Sequence, residues 1–129
     1  MLTVRTPRNR VFLALAALAT ATAPAAAAAQ EAHAHIGHVM TGWTDTPDGM
    51  GLLPTAKAEL DIARQHAGYA LAKPGDLAAV KLHTAHVLHA VDPAAIEAGP
   101  GLGYGLEKAA AGSAAHISLA AGAPAPPSN

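Results

Sequence analysis

The stretch TAKAELDIARQHAGYALAKPGDLAAVKLHTAHVLHAV, residues 55–91, decides the fold. In its first half Lys57, Asp61, Arg64 and Gln65 gather on one side, and Ala56, Leu60, Ala63, Ala67 and Ala70 on the other. That is the period of an amphipathic helix. Thr55 is the expected N-cap. Pro74, Gly75 and Asp76 then break the chain, and Asp76 can cap a second helix that carries Leu77, Val80, Val87, Leu88 and Val91 as its apolar stripe. Asp92 before Pro93 ends it, because proline disfavours a helical conformation in the preceding residue. Nothing elsewhere shows the two-residue alternation of a strand.

Working outward, Ile36, Val39, Met40 and Trp43 share one face of a helix predicted over 31–43. Residues 44–51 read as a turn, with Asp45, Pro47, Asp48 and Gly49 supplying the turn chemistry. PAAIEAG, 93–99, can add one extra helical turn, GPGLGYG, 99–105, reads as a flexible connector, and a last helix is predicted over 104–121. The fold class is therefore all-α: a small antiparallel bundle of three to four helices over 30–121. No internal repeat is evident. The expected core is Ile36, Val39, Trp43, Leu60, Ile62, Leu71, Leu77, Val80, Val87, Leu88, Leu106 and Ile117. It is thin, so a ligand or a homo-oligomer would help to stabilise it.

The ends have their own signatures. Arg5, Arg8 and Arg10, the run VFLALAALA and a small-residue exit predict a secretory signal peptide over 1–29. The apolar run is shorter than the roughly 20 residues of a membrane span. Asn9 separates two of the arginines, against a twin-arginine signal, and no cysteine is present for a lipid anchor. An exported, periplasmic protein is expected. Residues 122–129, GAPAPPSN, read as a disordered tail. Beyond residue 29 nine acids face Lys57, Arg64, Lys73, Lys81 and Lys108, a net charge of −4. A nucleic-acid partner is excluded by that balance, since phosphate binding needs a basic footprint. The absence of cysteine excludes disulfides, thiolate metal sites and covalently attached haem.

All eight histidines lie beyond residue 29, spread over every predicted helix. His66 and His116 fall on apolar faces; Ala109 and Gly112 open a groove beside His116 that suits a flat ligand or a neighbouring helix. His83, His86 and His89 span about 120° of their helix. One ring is expected to point inward and two outward. Bundles build cofactor sites from inward side chains on facing helices. The candidate metal ligands are therefore His66, His116, His83, His86 and His38, meeting at one interior point, with His35 an alternative to His38.

Neutral imidazole suits copper, zinc, nickel and iron, and can also hold haem b. Glu59 can orient a ligating ring, and Met40 and Met50 can add soft donors. HAHIGH, 33–38, can hold metal on a mobile arm, and cleavage after Gln30 would put His33 third, in an amino-terminal copper site. No nucleophile or paired-carboxylate constellation stands out, and Ser113 and Ser118 read as small helix residues. GPGLGYG lacks the preceding strand of a dinucleotide loop, and DTPDG lacks the acids of a calcium loop. The expected function is binding, carriage or electron transfer by a metal or non-covalent haem. The alternative is an envelope structural or interaction module with surface, pH-responsive histidines.

Overall fold

A computed structural model of the chain describes residues 23–122, and these are all-helical, as the sequence predicts. Helix α1 spans Ala23–Met40, α2 Leu52–Ala72, α3 Leu77–Val91 and α4 Leu106–Ala120. The predicted signal segment falls outside the described residues as far as residue 22, and the predicted tail from residue 123 onward. Among the described residues no helix is long and apolar enough to cross a membrane.

The helix ends follow local chemistry. Asp76 caps α3 as expected, its Oδ1 accepting from Ala79 N at 3.0 Å. α2 begins earlier than predicted, with Gly51 as N-cap. Pro54 fits this first turn because the N–H it lacks would be unpaired there. Thr55 is thus inside the helix, and its Oγ1 donates to Gly51 O at 2.9 Å. Position 51 is held to glycine by packing: a Cβ there would lie 2.6 Å from the Met40 carbonyl carbon. α1 stops at Met40, short of Trp43, whose N–H donates across the turn to Met50 O at 3.0 Å. The extra helical turn expected over 93–99 shrinks to a cap: Ala95 N donates to Asp92 O and Ala94 N to Asp92 Oδ1.

α2 packs chiefly on α3 and α4, α1 packs chiefly on α4, and α3 and α4 scarcely meet. The outer helices α1 and α3 therefore each have one principal neighbour. The buried seam positions are largely alanine, with Ala56, Ala63, Ala90 and Ala109 all enclosed. Of the expected core, Val39 is buried, and Trp43 and Leu106 pack on a cluster of Leu52, Ala56, Tyr104 and Ala109. Ile36, Leu60, Leu71, Leu77, Leu88 and Ile117 are instead exposed, Leu71 by 78%. Small side chains let helix axes approach, and these larger ones then sit outside the seam.

The connector 92–105 is no flexible link. It folds over Glu59, whose side chain is wholly buried. Glu59 Oε2 accepts from Leu102 N at 3.2 Å, and Oε1 accepts from Tyr104 N at 3.1 Å and Gly105 N at 3.0 Å. Gly101, at φ 141°, passes so close that a Cβ would sit 2.7 Å from Glu59 Oε2. The carboxylate thus satisfies backbone donors at the amino end of α4, where the helix dipole favours negative charge. Sequence reasoning gave Glu59 to a histidine ring; the structure gives it to the loop.

Removing this acceptor strands three donors. Glu59→Ala should destabilise the fold by about 3 kcal/mol in urea unfolding. Glu59→Gln, which keeps one acceptor oxygen, should lose less.

Candidate metal centres

The histidines form two groups rather than one. His35, His38 and His116 make the first, and His66, His83 and His86 the second; in each, one nitrogen per ring lies within 4.8 Å of the others, and either group could hold a metal ion. All five rings singled out from the sequence are in these groups, and His35 joins them. The expected single meeting point is replaced because each outer helix faces its own partner: α1 meets α4, and α3 meets α2.

The two groups share one design. A helix supplies two rings three apart, His35 and His38 from α1 or His83 and His86 from α3, and the packed helix supplies the third, His116 or His66. Side chains three apart are neighbours on a helix surface. Along the chain the order is a paired-histidine helix, then a single-histidine helix, twice over: α1 and α2, then α3 and α4. The repeat that the sequence does not advertise is in this order: HIGHVM at 35–40 and HTAHVL at 83–88 occupy matching places. Each half supplies ligands to the other.

An aromatic ring accompanies each group. Trp43 packs with its centroid 4.7 Å from both His38 and His116. Tyr69 lies 5.4 Å from His66 and 5.2 Å from His83. Trp43 is placed by the 41–51 turn, which is tied to α4 through Asp45. Lys108 Nζ lies 2.8 Å from Asp45 Oδ2, Tyr104 OH donates to the same oxygen at 3.2 Å, and the ammonium sits 4.1 Å from the Tyr104 ring centre. The Lys108 ammonium holds the Asp45 carboxyl below its ordinary range, and burial raises the Tyr104 phenol.

The donor nitrogens point at one another. His35 Nδ1 and His116 Nδ1 are 2.9 Å apart; His66 Nδ1 is 3.1 Å from His83 Nδ1 and 3.2 Å from His86 Nδ1. A ring nitrogen has one in-plane direction, used either to donate a proton or to accept one. His66 Nδ1 therefore cannot serve both neighbours well with a proton, whereas a cation can take all three lone pairs. The spacing also suits one: tetrahedral zinc with nitrogen ligands at about 2.0–2.1 Å sets neighbouring donors about 3.3 Å apart. His38 Nδ1 is buried and has no hydrogen-bond partner among the described residues. Buried polar atoms are nearly always paired, so an orphan of this kind requires an explanation. A cleft of about 230 Å³ lined by His38, Gly42, Trp43, Thr44 and Gly49 offers a way in.

His83 and His86 both turn into the second group, so the 81–90 run gives two rings to a site rather than one. His89 fastens the connector instead, its Nδ1 bonding to Ile96 O at 2.8 Å. His33 is exposed, and its Nδ1 bonds to Ala29 O within α1. The Gly112 face beside His116 is met by a helix, since a Cβ at 112 would lie 3.1 Å from Leu52 Cδ2. Ser113 is a packed helix residue, donating to Ala109 O at 2.9 Å. Met40 is 53% exposed.

Burial holds the His66 imidazole below its ordinary value of 6.5, and the neighbouring His86 and His83 add to the effect. His116 is lowered likewise, by burial first and then by His38 and His35. Both rings thus favour the neutral, ligating form. Because these bases bind protons less readily when folded, their full contribution to stability is present above about pH 6.5 and is lost as pH falls through their lower folded values. The metal-free thermal midpoint should fall on acidification below that point, and the fall should be shallower in His66→Ala and His116→Ala.

No protein-family model matches the chain, and no curated protein or solved structure matches it at a significant level, so the chemistry of the two histidine groups carries the functional reading.

Proposed function

We propose that this chain is an exported carrier of transition-metal ions, holding one ion in each tri-histidine group. The observation that carries the reading is the double convergence of three imidazoles, with His66 Nδ1 facing two other nitrogens at once. Three neutral imidazoles without a thiolate or carboxylate suit copper, zinc, nickel or iron(II). Three protein ligands suit an ion that is taken up and passed on, whereas structural zinc sites are closed by four. The acidic balance beyond residue 29 favours cations electrostatically. The signal-like segment 1–29 supports a periplasmic location. Leu52 packs on the Gly112 face beside His116, the neighbouring-helix alternative for that groove, and this leaves little there to favour a flat ligand such as haem.

The alternative, an envelope interaction module, draws on the exposed Leu71 and Leu77, at 78% and 65%. The two readings separate on stoichiometry. The purified chain, dialysed without oxygen against copper(I) and zinc(II) together and analysed for total metal, should retain two ions per chain, matching its two groups. His66→Ala and His116→Ala should each retain one, and the double variant none. His89→Ala should still retain two, because its ring bonds to the connector. Equal metal content in all these proteins would defeat the proposal. Uptake by the wild type should also weaken below about pH 6.5, where protons compete for the same nitrogens.

A further inference from the structure

The two groups match in their imidazoles and differ in what lies beside them. Trp43 flanks the first, 4.7 Å from two of its three rings, and His38 Nδ1 there is out of contact with solvent. Tyr69 flanks the second and is 47% exposed. Among the described residues no carboxylate belongs to either group, so a bound ion keeps its whole charge.

That charge decides between ions. The free energy of removing an ion from water grows with the square of its charge, so a divalent ion pays about four times the penalty of a monovalent one of equal size. The penalty is larger on the Trp43 side, where a half-buried indole rather than an exposed phenol covers the rings. The indole has no lone pair to offer as a fourth ligand; it donates one N–H and presents a π face. A π face attracts a cation, more strongly when water is excluded. Three neutral imidazoles beside an indole therefore suit a low-coordinate, monovalent ion. On the other side a half-exposed phenol leaves room for the water or other ligand that completes a four-coordinate divalent ion.

Resting on the metal-binding reading above, we infer that the two sites discriminate by charge: the Trp43-flanked group of His35, His38 and His116 takes cuprous copper, and the Tyr69-flanked group of His66, His83 and His86 takes a divalent ion of the zinc type. The chain then carries two different metals at once rather than two copies of one.

Single-site variants of the full chain test this. His66→Ala leaves the first group intact, and His116→Ala the second. Each is titrated without oxygen with copper(I) in competition with a chelator of known affinity, and separately with zinc(II). The preference for copper(I) over zinc(II), taken as the ratio of the two affinities, should be greater in His66→Ala than in His116→Ala by on the order of tenfold. Trp43 is the only tryptophan of the chain. Its fluorescence should respond to copper(I) in His66→Ala and stay unchanged with either ion in His116→Ala. Adding Trp43→Leu to His66→Ala should reduce the preference toward that of the second group, with helical circular dichroism checking the fold. Equal preferences in the two single-site variants, or the reverse order, overturn the inference while leaving metal binding standing. Failure of both variants to bind either ion removes the metal-binding reading as well.

Discussion

The Glu59 carboxylate and the three backbone N–H groups that close on it organise the rest of the molecule. A buried carboxylate is expensive unless its oxygens are satisfied, and here both accept from the loop that leads into α4. That contact fixes where α4 begins. The start of α4 in turn sets the position of His116 against α1. It also sets Tyr104 and Lys108, which hold Asp45 and through it the turn carrying Trp43. One side chain on α2 thus connects the central seam to the composition of the first histidine group. It has no counterpart in the second group, which is assembled within the α2–α3 hairpin.

The architecture explains why there are two groups. Each outer helix has one main neighbour, so its histidines can meet only those of that neighbour. Alanine at Ala56, Ala63, Ala90 and Ala109 keeps the seams narrow. Narrow seams bring imidazoles on facing helices within reach of each other without bulky side chains between them. The same economy leaves leucines such as Leu71 and Leu77 facing outward. Sparse packing and convergent ligands are two results of one composition.

How much of this was legible in the sequence differs by level. The helices were, because Lys57, Asp61, Arg64 and Gln65 segregate from the alanines and Asp76 follows a Pro-Gly break. His66 and His116 were singled out by their apolar faces, and both lie in a group. The 83–86–89 spacing promised one inward ring, whereas both His83 and His86 turn toward α2, the principal neighbour of α3. His35 was offered only as an alternative to His38, although its spacing to His38 repeats that of His83 and His86; that shared spacing was the usable signal. The contact of Glu59 with residues 102–105 spans more than forty positions. No local pattern announces a pairing of that range. The glycines of the connector suggested looseness, yet here they allow the backbone to close around a carboxylate.

The two groups also differ in the length of chain they enclose. His66 is 17 and 20 residues from its partners His83 and His86, whereas His35 and His116 are 81 apart. Contacts between near neighbours form early and cheaply, and distant ones wait for loop closure. The hairpin cluster is therefore available as soon as α2 and α3 have been synthesised. The terminal cluster must await the last helix, so its completion reports that the whole bundle has assembled.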